Sequence, residues 1–193
     1  KCSACEEKLI QATMKTAVRF SVAALMAIVT TVFAYSQELK IDGQTNKYFA
    51  ENVIKIDSLT IDMLHDKTLQ WLYKEYPNNG KKGSYIEARY NKITACQCFN
   101  PDPYKLLGYL NLKVWFILTF DIKDGKIKYN YSDFYYYSVG EGKVPFESSK
   151  FMNYDITLRT GIVEETNKYV KNSIVSLITY IQNIKEIDTW KEA

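Results

Sequence analysis

One histidine, His65, is all that this 193-residue chain offers for base or imidazole-ligand chemistry near neutral pH. Any Ser/His/Asp or Cys/His arrangement would have to use it, and no GxSxG nucleophile motif accompanies it. Cysteine is scarce too: Cys2, Cys5, Cys96 and Cys98 are the four. A structural zinc takes four Cys or His ligands, and neither cysteine pair has two more at hand. There is no glycine-rich phosphate loop. Arginine occurs three times, at 19, 89 and 159, so guanidinium forks for phosphate are few. Carboxylates are plentiful, but no pair stands out as a glycosidase would need. Glu164-Glu165 is expected to decorate a helix N-terminus. No metal, cofactor or catalytic residue is therefore expected, and an enzyme is disfavoured.

Long apolar runs are also missing. Phe20–Ala34 (FSVAALMAIVTTVFA) is uncharged over fifteen residues. A membrane-spanning helix needs about 20. The run instead follows Met14, Lys15 and Arg19, and it ends at Ala34-Tyr35-Ser36. Basic start, short apolar middle and small residues at positions −3 and −1 are the parts of a cleavable signal peptide. Residues 14–36 are so assigned, with cleavage between Ser36 and Gln37 and export to the periplasm or beyond. Residues 1–13, with a CxxC at Cys2 and Cys5, are expected to be an over-extended start without function.

Residues 37–193 make one domain's length, enough to bury a core. The chain carries 25 basic and 22 acidic residues, and residues 1–36 hold four and two of them. That leaves 21 and 20, a net charge of +1, which gives no field to draw nucleic acid.

Residues 37–47 are expected as a linker. Tyr48–Ile56 alternates as a half-buried strand, then Asp57, Ser58 and Thr60 offer N-cap oxygens. A helix to about Tyr76 follows, with Ile61, Leu64, Leu69, Leu72, Tyr73 and Tyr76 as its apolar stripe. Pro77-Asn78-Asn79-Gly80 stops it. Two short strands, 85–90 and 93–99, turn at Asn91-Lys92. Cys96 and Cys98 sit on the second. Their Cα atoms would be about 6.6 Å apart by strand rise, at the far edge of disulfide geometry. We read them as two small buried hydrophobes, with a labile disulfide as the alternative.

The clearest signal is Leu112–Ile122, where every even position is apolar: Leu112, Val114, Phe116, Leu118, Phe120, Ile122. Asp124-Gly125 is a tight-turn dipeptide, and Ile127, Tyr129 and Tyr131 face the same core. The phase then slips near Ser132-Asp133 before Phe134 and Tyr136, which predicts a bulge. A loop spans 138–159. A closing helix from about Gly161 to Ile187 carries Val163, Val170, Ile174, Leu177, Ile178, Ile181 and Ile184. Burying such a stripe contributes about 10–20 kcal/mol before entropy, so this helix must lie on the sheet. Residues 188–193 form a tail.

The predicted fold class is α+β, in the order β-α-β-β-β-β-α, with an antiparallel sheet and two helices packed on one face. The export signal, IKIDSLTIDMLHDKTLQWLYKEY (54–76), YIEARYNKITA (85–95), VWFILTFDIKDGKIKYNYSDF (114–134) and the long last helix together resemble an uncharacterised family of secreted Bacteroidetes proteins with the TBP-like fold. Asn91-Lys92 stands where that family has a glycine. The resemblance spans residues 48–187 and implies fold and compartment, with no catalytic residues to carry over.

Tyrosine is the one enrichment, with fifteen after residue 36. Trp115 and Ile117 fall on the non-core phase of their strand. With both helices on one sheet face, Trp115, Ile117 and Tyr85 would mark the other as a protein- or glycan-binding surface in the cell envelope. Alternatively, loop 100–111 or 138–159 covers them. In TBP-like proteins the open face grips DNA; export, near-neutral charge and scarce arginine argue against that use here. A carrier of an apolar small molecule between helices and sheet, and a carboxylate-dependent envelope enzyme, are the alternative functions.

Overall fold

The computed structural model describes residues 38–57, 59–77, 84–102, 112–138, 140 and 142–188. The expected signal peptide, the residues before it and most of the tail lie outside them. Seven strands form one sheet: β1 (Lys40–Ile41), β2 (Tyr48–Lys55), β3 (Tyr85–Arg89), β4 (Lys92–Phe99), β5 (Lys113–Lys123), β6 (Lys126–Ser138) and β7 (Gly142–Pro145). Three helices accompany them: α1 (Ile61–Glu75), α2 (Ser149–Met152) and α3 (Ile156–Asp188). The strand order is β1-β2-β6-β5-β4-β3, every pairing is antiparallel, and β7 pairs with β6. Among the described residues, no helix is long and apolar enough to cross a membrane.

The β5–β6 hairpin is the spine. Val114, Phe116, Leu118 and Phe120 are fully buried, as the alternation predicts. Gly125 takes φ +69°, a conformation that costs glycine nothing. The turn also organises what precedes α1. The N–H of Gly125 donates to the Leu59 carbonyl (3.0 Å), and that of Ile56 donates to the Gly125 carbonyl (2.8 Å). Asp124 Oδ1 accepts the Ile61 N–H at 2.8 Å, and Thr60 Oγ1 accepts that of Met63 at 3.4 Å. The hairpin tip thus caps the first turn of α1. Asp124→Ala should lower stability by about 1 kcal/mol, read from urea unfolding.

The bulge is where the phase slip places it. Trp115 pairs with Tyr135 but Ile117 with Ser132, so two residues of β6 oppose Phe116. Asp133 absorbs the extra residue at φ +51°, and its carboxylate holds Lys47 at 2.8 Å. Phe134 and Tyr136 thereby regain the core face, each 2 % exposed.

α1 and α3 lie on the same sheet face, over a layer of aromatic rings. Trp71 meets Phe120 edge-on at 6.2 Å, and Tyr169 of α3 stacks on Phe99 at 4.1 Å. α1 buries Leu64, Lys67, Thr68, Trp71 and Leu72. The expected stripe erred at Tyr73, which is exposed, while Trp71 anchors the helix. One residue is 100° of helix, so the two cannot share a face. α3 buries Ile162, Val170, Ile174, Leu177 and Ile181 completely; Val163 and Ile178 are half-buried, and Ile184 lies outside the described side chains.

Four expectations need correction. The segment 37–47 is not only a linker: β1 pairs with β2, and the Leu39 N–H donates to Asn167 Oδ1 at 2.6 Å. The first turn sits at Tyr90-Asn91, one residue early. The expected loop 138–159 contains β7 and α2, and Phe146, just past β7, stacks on Phe151 of α2 at 4.6 Å. α3 starts at Ile156 behind Asp155, whose carboxylate accepts the Thr157 N–H at 2.8 Å. Glu164 and Glu165 therefore lie well inside α3 and not at its N-terminus.

Candidate functional site

Strand register lays out the face that the helices leave open. One row crosses it as Tyr85, Cys96, Ile117 and Ser132; the next as Cys98, Trp115, Tyr135 and Pro145. The structure therefore brings Trp115, Ile117 and Tyr85 together, as the alternation predicts. Trp115 and Ile117 are half-buried and Tyr85 is 43 % exposed.

Tyr135 joins them. Its ring lies parallel to that of Trp115, centroids 6.1 Å apart and planes within 2°. The Lys143 ammonium stands 3.9 Å from the Tyr135 centroid, within cation–π range. Burial, with the two nearby thiols, pushes the Tyr135 phenol up to about 12. Tyr137 pairs with Lys113 and Lys143 at the end of the face and is 48 % exposed. Beyond Ile117 the surface turns polar: Glu87, Thr94, Thr119, Asn130 and Glu51 make one row. Arg89, Lys92, Asp121 and Lys128 make the next row, so the face has an aromatic end with two lysines and a mixed-charge end.

Sequence reasoning placed the first three residues and missed Tyr135 and Lys143. Tyr135 belongs to the open face because the bulge at Asp133 reverses the alternation of β6. Lys143 arrives on β7, a strand of four residues bounded by glycine and proline. Of the two segments that could cover the face, 103–111 lies outside the described residues. The described residues of the other send Lys143 onto the Tyr135 ring but turn Phe146 onto Phe134 at 5.8 Å and Phe151 onto Tyr136 at 6.2 Å, both on the core side.

Cys96 and Cys98 are corrected as well. They are free, half-buried thiols on the open face, not core hydrophobes. Core positions on β4 fall to Ile93, Ala95 and Gln97. The phase was ambiguous because polar Gln97 is the inward residue; it is 3 % exposed and donates to the Tyr85 carbonyl at 3.4 Å.

His65 lies within α1, its side chain 17 % exposed. Its Nδ1 is 3.5 Å from Asp66 Oδ1 on the same helix, and its buried Nε2 has no hydrogen-bond partner. Nothing there resembles a base poised on a nucleophile. Among the described residues, no group of three or more His, Cys, Asp or Glu could hold a metal ion.

Comparison with known proteins agrees with this architecture. Residues 48–137 match the family model described as "Domain of unknown function (DUF4468) with TBP-like fold". No curated protein matches the sequence. A TBP-like protein from Parabacteroides distasonis superposes with a TM-score of 0.58 at 14 % identity, covering 74 % of this chain and 97 % of its own. A DUF4468 family protein from Bacteroides ovatus gives 0.56 at 12 % identity, covering 78 % and 94 %. The resemblance drawn from the sequence thus holds: over residues 48–137 this chain carries the DUF4468 pattern, on a TBP-like antiparallel sheet with its helices on one face.

Proposed function

We propose that this domain is a non-catalytic binding module, exported from the cytoplasm, that holds a protein or glycan partner on its open sheet face. One observation carries the reading: Trp115, Ile117, Tyr85 and Tyr135 share one sheet face, and both long helices pack on the other. Planar side chains held by strand pairing lose little entropy on contact, which suits recognition. The export pattern at 14–36 supports the compartment. The near-neutral charge and the mixed-sign end of the face weigh against nucleic acid. The carrier alternative is less well supported, because the space between helices and sheet is occupied by closely packed rings.

The test replaces Trp115 and Ile117 together with Ser and compares retention of envelope components with the parent chain. The double variant should lose at least tenfold of the specific retention while keeping its far-UV circular dichroism. Equal retention by both proteins would remove the open face from the account.

A further inference from the structure

Cys96 and Cys98 are two thiols that the binding role leaves unused. They sit one residue apart on β4, both directed to the open face. Cys96 is level with Tyr85 and Ile117, and Cys98 with Trp115. β4 is paired on both sides and Gln97 is buried between the two, so the register that aligns them is firmly held.

That register suits some chemistries and not others. Same-face neighbours on a strand stand about 6.6 Å apart, two residues of rise, with their Cβ vectors parallel. A disulfide needs Cβ atoms about 3.5–4.5 Å apart, so closing one would buckle a doubly paired strand. Two thiolates on one metal ion need sulfurs only about 4.6 Å apart, twice a metal–sulfur bond of roughly 2.3 Å. Sulfurs that lean toward each other from 6.6 Å can reach that separation without moving the backbone.

We propose that Cys96 and Cys98 form a two-coordinate site on the open sheet face for a soft, monovalent, thiophilic cation of the Cu(I) class. Soft thiolates select such ions, and two ligands suffice for them. Zinc is a poor fit, because no third His, Cys, Asp or Glu among the described residues joins the pair. Two thiolates and one monovalent cation leave a single negative charge. Lys143 and Lys113 sit close enough to act on Cys96 and Cys98 respectively and balance it. Binding transfers no electron: each thiol gives its proton to solvent as its sulfur takes the metal. Burial pushes both thiols up, against the pull of the lysines, so the empty site is protonated at neutral pH. Affinity must therefore rise with pH, up to about a hundredfold per unit when two protons leave per ion.

The test uses the full chain carrying C2S and C5S, so that these two thiols are its only ones. After anaerobic reduction and a thiol count of two, it is titrated with Cu(I) against bicinchoninate. The expected result is one copper per chain, with affinity rising by about ten- to a hundredfold per unit from pH 6 to 8. C96S and C98S should each weaken binding at least a hundredfold with unchanged circular dichroism. Three results would overturn the assignment: no uptake by the fully reduced chain, undiminished uptake by C96S/C98S, or ready closure of a disulfide with the sheet signal intact.

Discussion

Above pH 10 this domain should unfold steeply, with tyrosine exposure as the cause. Burial is the first reason that Tyr76, Tyr131 and Tyr169 hold their phenolic protons far above the ordinary value of 10. They are also linked: the Tyr169 hydroxyl donates to Tyr76 at 2.8 Å, and that of Tyr131 to Ser173 at 2.9 Å. In the unfolded chain these phenols titrate near 10, while in the folded one they stay neutral. Their contribution is complete below pH 10 and is lost as pH rises through the folded values. Each proton difference is worth about 1.4 kcal/mol per pH unit, so these three impose a slope near 4, and Tyr129 and Tyr135, also raised by burial, add to it. A domain of this size holds on the order of 10 kcal/mol, which is exhausted by roughly pH 12.5. Tyrosinate absorbance from these groups and loss of circular dichroism should coincide. Full tyrosinate absorbance near pH 10 with a native backbone signal would contradict the burial. Tyr131→Phe should flatten the slope by one proton and lower stability at pH 7 by about 1 kcal/mol, by leaving Ser173 without its donor.

Two adjacent substitutions should differ sharply. Phe116→Ala removes a fully buried ring that meets Tyr131 at 5.3 Å, Tyr169 at 5.7 Å, Phe134 at 6.2 Å and Tyr76 at 6.4 Å. It joins the sheet to both long helices, so its loss should cost about 3–5 kcal/mol. At about 2–4 °C per kcal/mol, Tm should fall by roughly 10 °C or more. Trp115→Ala, one residue away, takes a half-buried ring from the open face and should cost about 1 kcal/mol or less. Urea unfolding of both variants checks this. Equal losses would mean that β5 is buried on both faces.

What the sequence reveals of this fold follows from how strongly each segment is patterned. β5 and β6 are legible because eleven and thirteen residues repeat one alternation, and a single slip near Ser132-Asp133 marks the bulge. β7 and α2 are not, since four residues each are too few to show a period. The start of α3 is obscured because Gly161 looks like a boundary, whereas the helix begins five residues earlier behind Asp155. The pattern does not single out Trp71, because the stripe through Tyr73 is also apolar. On β4 a buried glutamine inverts the expected faces, and with them the placement of both cysteines. The candidate site was legible through Trp115, Ile117 and Tyr85, whose strands alternate cleanly. Tyr135 follows from the same slip, lying between the core residues Phe134 and Tyr136, whereas Lys143 is hidden by the shortness of the four-residue strand that carries it.

Site-specific photo-crosslinking in the native envelope separates the two faces of the domain. A photoreactive residue at Ile117 reports from the open face, and one at Val175, 39 % exposed on α3, reports from the helix layer. A partner on the open face gives a discrete adduct from position 117 and none from 175. The same adduct from 175 alone, or none from 117 in folded, exported protein, would contradict it.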